Sequence, residues 1–171
     1  MREALIEIAR QAGLEILSIY NTADFGVEIK QDESPLTLAD LAAHRLIVAE
    51  LERQFPDIPV LSEESVAIDF ETRSSWDRYF LVDPLDGTKE FVSRNGEFAV
   101  NIAFIEGSYP VFGLIASPVY EEILFGGKEI GVFSCSYSDV SEASKWKPIP
   151  GGDGVNNPLI VIGSRSHPSE L

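Results

Sequence analysis

Residues 97–119 read EFAVNIAFIEGSYPVFGLIASPV, two apolar runs of strand length with Glu106-Gly107 between them and Pro118 near the far end. Such runs, rich in β-branched and aromatic residues and punctuated by Gly and Pro, predict consecutive strands joined by tight turns. The pattern continues downstream in residues 121–127 (EEILFGG) and 129–133 (EIGVF), separated at Gly126-Gly127. Upstream it includes residues 60–65 (VLSEES) and 78–84 (RYFLVDP), each ending in acidic residues or Pro where a strand would emerge from the core. Strands linked this closely pair antiparallel, and such a sheet must bury one face against another layer.

The N-terminal segment supplies that layer. Leu5, Ile8, Ala9, Ala12, Ile16, Ile19 and Tyr20 recur at three- and four-residue steps, which predicts a helix from about residue 2 to residue 21. A second helix is predicted to open at Thr37, because Thr37 and Asp40 have the spacing of a capping box. Leu38, Leu41, Ala42, Val48, Ala49, Leu51 and Phe55 then cover an apolar arc before Pro56 and Pro59 end it. The fold class expected is α+β, with two N-terminal helices packed on a mostly antiparallel sheet. Residues 1–134 form that domain. Residues 135–158, rich in Ser, Gly, Pro and Asn, suit a linker or edge loop, and residues 159–171 open with LIVIG as the first strand of a further α/β unit that is missing or truncated.

Composition narrows the function. The 171 residues hold 13 Lys and Arg against 28 Asp and Glu, a formal net charge of −15, which repels nucleic-acid polymers and anionic membranes. One cysteine, Cys135, allows neither an intrachain disulfide nor a cysteine metal cluster. No run approaches the roughly 18 apolar residues of a membrane span, and the N-terminus does not follow a basic tip with an apolar stretch. A cytoplasmic location is expected.

The chemistry is concentrated in Asp83-Pro84-Leu85-Asp86-Gly87-Thr88, with Ser62-Glu63-Glu64-Ser65 some twenty residues earlier. Carboxylates gathered at strand ends repel and raise one another's pKa, and a divalent cation removes that cost. Hard oxygen donors with no His or Cys beside them suit Mg²⁺ or Mn²⁺, whose remaining positions a substrate phosphate can fill. Gly87 and Thr88 would open a short following helix whose first amides can receive phosphate. Each piece also has a plainer reading. Asp-Pro and Asp-Gly are ordinary turn signals, Glu63-Glu64 suits a solvated loop, and Asp40 suits a capping acid. Together, separated by predicted helix and strands, they point to a site of two-metal phosphatase type.

Residues 26–47 (GVEIKQDESPLTLADLAAHRLI), 60–65 (VLSEES), 80–91 (FLVDPLDGTKEF) and 94–105 (RNGEFAVNIAFI) resemble the inositol monophosphatase superfamily of metal-dependent, lithium-sensitive phosphatases. The resemblance is to its 3'(2'),5'-bisphosphate nucleotidase branch of the CysQ type, and it runs from residue 1 to residue 171. It implies a layered sugar-phosphatase-like sandwich in which Glu63, Asp83, the Leu85 carbonyl and Asp86 ligate two or three Mg²⁺ ions, Asp83 bridging two of them and Asp86 holding the second. Thr88 and Asp40 are implied as the hydrogen-bonded pair that orients the attacking water. Glu63, Leu85, Asp86, Gly87 and Thr88 are implied to hold the substrate phosphate, with Ser164 and His167 on the nucleotide.

The implied activity removes the 3'-phosphate of adenosine 3',5'-bisphosphate, or of its sulfated relative, through in-line attack by a metal-activated water. Neither a Cys nor a His stands where a covalent phosphoenzyme would need it. The implied partner is a small nucleotide bisphosphate, with a homodimer as an option. An inositol monophosphate or sugar bisphosphate phosphatase is the alternative within the superfamily; Lys89-Glu90 resembles the nucleotidase branch, where inositol enzymes usually carry Thr-Asn. The family also takes a last carboxylate from a Trp-Asp pair in its second domain. Trp76-Asp77 precedes the metal loop and Trp146-Lys147 lacks the acid. A fragment or a shortened relative is therefore expected, with weak or absent turnover on its own, and a non-catalytic paralogue is the rival reading.

Overall fold

The computed structural model describes residues 1–22, 26–29 and 35–150. Helix α1 (Arg2–Tyr20) and helix α2 (Leu38–Gln54) pack against each other and against one sheet. Between them the short strands β1 (Glu28–Ile29) and β2 (Pro35–Leu36) pair antiparallel. The main sheet has seven strands in sequential order: β3 (Val60–Ser62), β4 (Arg78–Asp86), β5 (Ala99–Glu106), β6 (Tyr109–Ser117), β7 (Glu122–Gly127), β8 (Gly131–Ser136) and β9 (Lys147–Pro148). All neighbours are antiparallel except β3 and β4, which run parallel because the 63–77 connection, with helix α3 (Phe70–Ser74), carries the chain back to the same end. A further short helix, α4 (Thr88–Val92), follows β4 directly.

Alternation along the strands builds the core. Phe80, Val82, Val100, Ile102, Leu114 and Ile123 face the helices and are buried. On the opposite face Leu81, Ile115, Leu124 and Val132 remain between 39% and 49% exposed. Helix α1 buries Leu5, Ile8, Ala9, Ala12 and Ile16 as its spacing predicts. Among the described residues no helix is long and apolar enough to cross a membrane.

Two expectations need correction. Helix α2 is rotated from its predicted face: it buries Ala39, Asp40, Ala43, Ile47 and Leu51, while Leu38 is 54% exposed and Ala49 lies on the surface. The polar contacts of Asp40 fix the rotation, since Ala43, Ile47 and Leu51 follow it at three- and four-residue steps and share its face. The second concerns residues 135–150, where of the two readings, linker or edge loop, the edge is what the structure shows, with more regular structure than the composition suggests. Strand β8 continues to Ser136, 3₁₀ turns follow at Tyr137–Asp139 and Ala143–Lys145, and β9 pairs back onto β8. Polar composition hid three anchors: Tyr137, Val140 and Trp146 are buried, and the Trp146 ring stands edge-on to Phe125 with centroids 4.9 Å apart. Residues 151–171, with the strand predicted at 159–163, lie outside the described residues.

Candidate metal centre

Register brings the first carboxylates together. Ser62 pairs with Val82 across the parallel ladder, and the Glu63 amide donates to the Val82 carbonyl at 3.0 Å, which sets Glu63 beside Asp83 at the same end of the sheet. The β4–β5 ladder then loses step: Asp83 lies opposite Asn101, whereas Asp86 lies opposite Ala99. Such a bulge re-aims side chains locally. Within it the Leu85 amide donates to Asp83 Oδ1 at 3.2 Å.

The carboxylates sense one another. The Asp83 carboxyl is pushed up to about 7, first by burial and then by the charges of Glu63 and Asp86; the Leu85 amide works in the other direction. Among the described residues no three acidic, histidine or cysteine side chains are gathered into a ready-made cage. The donor set nevertheless fits a hard divalent ion: the three interacting groups are all carboxylates, and the repulsion that raises Asp83 is what a cation would remove.

The second half of the site is built on the starts of two helices. At α2, Thr37 is the N-cap: its hydroxyl accepts from the Ala39 amide at 3.2 Å, while its own amide and hydroxyl donate to Asp40 Oδ2 at 2.8 and 2.5 Å. The capping reading of Asp40 is thus correct for one oxygen. The other accepts from Thr88 Oγ1 at 3.1 Å, a hydrogen bond across 48 residues of sequence, and Asp40 itself is only 1% exposed. Thr88 Oγ1 also lies 3.2 Å from the Leu85 carbonyl, within donating distance, so its single proton is shared between two acceptors. Gly87 caps α4 at φ +90°, and a Cβ there would come within 2.9 Å of the Glu97 carbonyl, so the turn admits only glycine without strain.

The sequence-predicted residues Asp40, Glu63, Asp83, Leu85, Asp86, Gly87 and Thr88 therefore come together in two linked groups. Ser164 and His167 lie outside the described residues. Two contacts were missed. His44 Nδ1 meets Ser62 Oγ at 2.9 Å, tying α2 to the residue before Glu63, and burial holds its imidazole below the usual histidine value. Asn101 Nδ2 donates to Asp86 Oδ2 at 3.0 Å. The available signals were a histidine one helical turn after Asp40 and an asparagine in mid-strand, where that residue type is depleted. Glu63, Asp83 and Asn101 open onto a cavity of about 860 Å³ that extends across strands β3 to β8, with Leu81, Ile115 and Val132 also in its lining.

Comparison with known proteins agrees with this geometry. Residues 1–167 match the model of the inositol monophosphatase family. The 3'(2'),5'-bisphosphate nucleotidase CysQ of Salmonella typhimurium is 43% identical over 169 residues, covering 98% of this chain and 64% of that protein. The crystal structure of CysQ from Bacteroides thetaiotaomicron superposes with a TM-score of 0.73 at 41% identity, over 90% of this chain and 58% of that one. An IMPase/NADP phosphatase solved with Mg²⁺ and phosphate shares the fold at 18% identity and a TM-score of 0.63, over 72% of this chain and 46% of that one. The chain thus spans less than two thirds of these relatives' length. With the Asp83–Thr88 turn, the Asp40–Thr88 hydrogen bond and a family match that takes in all but the last four residues, this chain belongs to the inositol monophosphatase family.

Proposed function

We propose that this chain carries the metal- and phosphate-binding part of a Mg²⁺-dependent phosphatase acting on 3'(2'),5'-bisphosphate nucleotides, with adenosine 3',5'-bisphosphate as substrate and AMP and phosphate as products. The observation that carries the reading is the hydrogen bond from Thr88 to Asp40, formed beside a carboxylate whose pKa two neighbouring carboxylates raise. The identity of nearly half the residues to CysQ supports the nucleotide over an inositol phosphate, as does Lys89-Glu90 after the metal loop. The fold relative solved with Mg²⁺ and phosphate supports the choice of ion, with Mn²⁺ as a substitute.

Glu63, Asp83, Asp86 and the Leu85 carbonyl would hold two or three ions. Bound there, divalent cations supply charge neutralisation at the phosphate and make water a better nucleophile at neutral pH. The chain's own groups do the rest. Asp40, held by two bonds from Thr37, accepts from the Thr88 hydroxyl, so Thr88 Oγ1 can present a lone pair to a water that donates to it. That water would then be aligned on phosphorus, and the proton it sheds would pass through Thr88 toward Asp40. The amides of Gly87 and Thr88 would receive the phosphate oxygens. Ser164 and His167 are proposed contacts to the nucleotide, and the cytoplasm is the proposed location.

Phosphate release with Mg²⁺ from adenosine 3',5'-bisphosphate and from inositol 1-phosphate tests the reading. Preference for the nucleotide is expected; release from the inositol phosphate alone overturns it. Thr88→Val should lower turnover by about 10²–10⁴-fold while leaving Mg²⁺ binding in place, as expected for a group that handles the proton.

A further inference from the structure

Asn101 is out of place by the ordinary logic of its strand. It sits in the middle of β5, directly opposite Asp83 on β4 and Ile115 on β6, and shares its lining of the cavity with Ala103, Gly113 and Leu81. An amide in an otherwise largely apolar wall is disfavoured in a strand and must find partners for both of its ends. Among the described residues only one end has a partner: Nδ2 donates to Asp86 Oδ2 at 3.0 Å, whereas Oδ1 is out of contact with solvent and without a hydrogen-bond partner. The orientation follows from the partner, since a carboxylate oxygen accepts and therefore faces the NH₂ end of the amide. A buried acceptor left unpaired costs stability, and such groups in native proteins call for an explanation beyond packing.

The position supplies one. The bulge between Asp83 and Asp86 breaks the β4–β5 ladder at the point where the two carboxylates must be aimed, and pairing resumes only at its last rung, Asp86 opposite Ala99. Asn101 spans the break: its backbone lies opposite Asp83, and its side chain reaches Asp86. Its amide also brings a dipole, with no added charge, to a place where a cation partner would compete with the metal and another carboxylate would add to the repulsion. We propose that Asn101 is a positioning residue of the metal centre, which holds the Asp86 carboxylate in its ligating orientation by one hydrogen bond from Nδ2. This rests on the metal-centre reading given above.

Mn²⁺ alone is the probe. Its binding to the full 171-residue chain is followed by the loss of the free-ion signal in electron paramagnetic resonance, for the unaltered protein, Asn101→Leu, Asp86→Asn and the double variant. Asn101→Leu should weaken Mn²⁺ binding by about 10–100-fold, the usual effect of removing a group that orients a metal ligand. The double variant should bind no more weakly than Asp86→Asn, because Asn101 acts through that carboxylate. The thermal midpoint without metal reports whether each variant folds. If Asn101→Leu does not fold, Asn101→Ser replaces it, its hydroxyl too short to reach Asp86, with the same outcomes expected. The inference is overturned if Asn101→Leu binds like the unaltered protein while Asp86→Asn is weakened, or if the two losses multiply in the double variant. If the unaltered chain takes up no Mn²⁺, or Asp86→Asn binds as well as it does, the metal centre itself is wrong and the role of Asn101 goes with it.

Discussion

Asp83 holds its proton to about pH 7 in the metal-free chain because burial and the charges of Glu63 and Asp86 oppose its ionisation. In the unfolded chain the same carboxyl titrates near 3.9. Between those values the folded state binds the extra proton, so the stability that this group contributes is full below about pH 4 and is lost as pH rises through about 7. A cation reverses the sign of the local problem by stabilising the ionised form. Thermal melts across pH should therefore show Mg²⁺ raising the midpoint more at pH 8 than at pH 5. An equal shift at both values would mean that the ion does not bind against Asp83. This residue was legible in the sequence because Asp83-Pro84-Leu85-Asp86-Gly87-Thr88 is a contiguous motif. Asn101 was not, since its partner Asp86 lies 15 positions away and is reached only through the strand register.

Among the elements, the sheet was the most legible and the rotation of α2 the least. Alternation and Gly or Pro punctuation located β3 to β8, whose order in space follows their order in sequence. Apolar periodicity misplaced the face of α2 because Asp40, a charged residue, points inward and is satisfied there by Thr37 and Thr88. Hydropathy has no means of assigning a carboxylate to a core. The regular structure at residues 137–146 was missed for the converse reason, its three anchors being scattered among Ser, Lys and Glu. One of them touches α1 closely: a Cβ built on Gly13 would lie 2.0 Å from the Tyr137 hydroxyl oxygen, and that hydroxyl has no hydrogen-bond partner among the described residues. Gly13→Ala should destabilise the protein by about 1–3 kcal/mol through overpacking. Tyr137→Phe, which removes an unsatisfied hydroxyl, should be close to neutral alone and should restore part of the loss when combined with Gly13→Ala. Urea denaturation of the two single variants and the double variant checks this, and additive losses would show that the two residues do not meet.

At the scale of the molecule, a formal charge of −15 acts on a fold whose candidate metal centre is itself acidic. Self-repulsion of that size weakens the compact state, and it is screened over about 8 Å at physiological ionic strength. Raising NaCl from low to physiological concentration should lift the thermal midpoint of the metal-free chain, and Mg²⁺ at matched ionic strength should lift it further. If the two salts act identically at matched ionic strength, Mg²⁺ is only screening.

The one parallel pair in the sheet has a consequence for how such a protein can change over generations. Glu63 and Asp83 are both fastened by the β3–β4 ladder, one just past its last rung and one on the strand beside it, while residues 64–77 loop out and return without carrying either of them. Val66 and Phe70 on that excursion are 92% and 72% exposed, so little of the interior depends on it. Insertions and deletions there leave Glu63 and Asp83 where they are. The excursion is free to diverge while the two carboxylates are inherited in place.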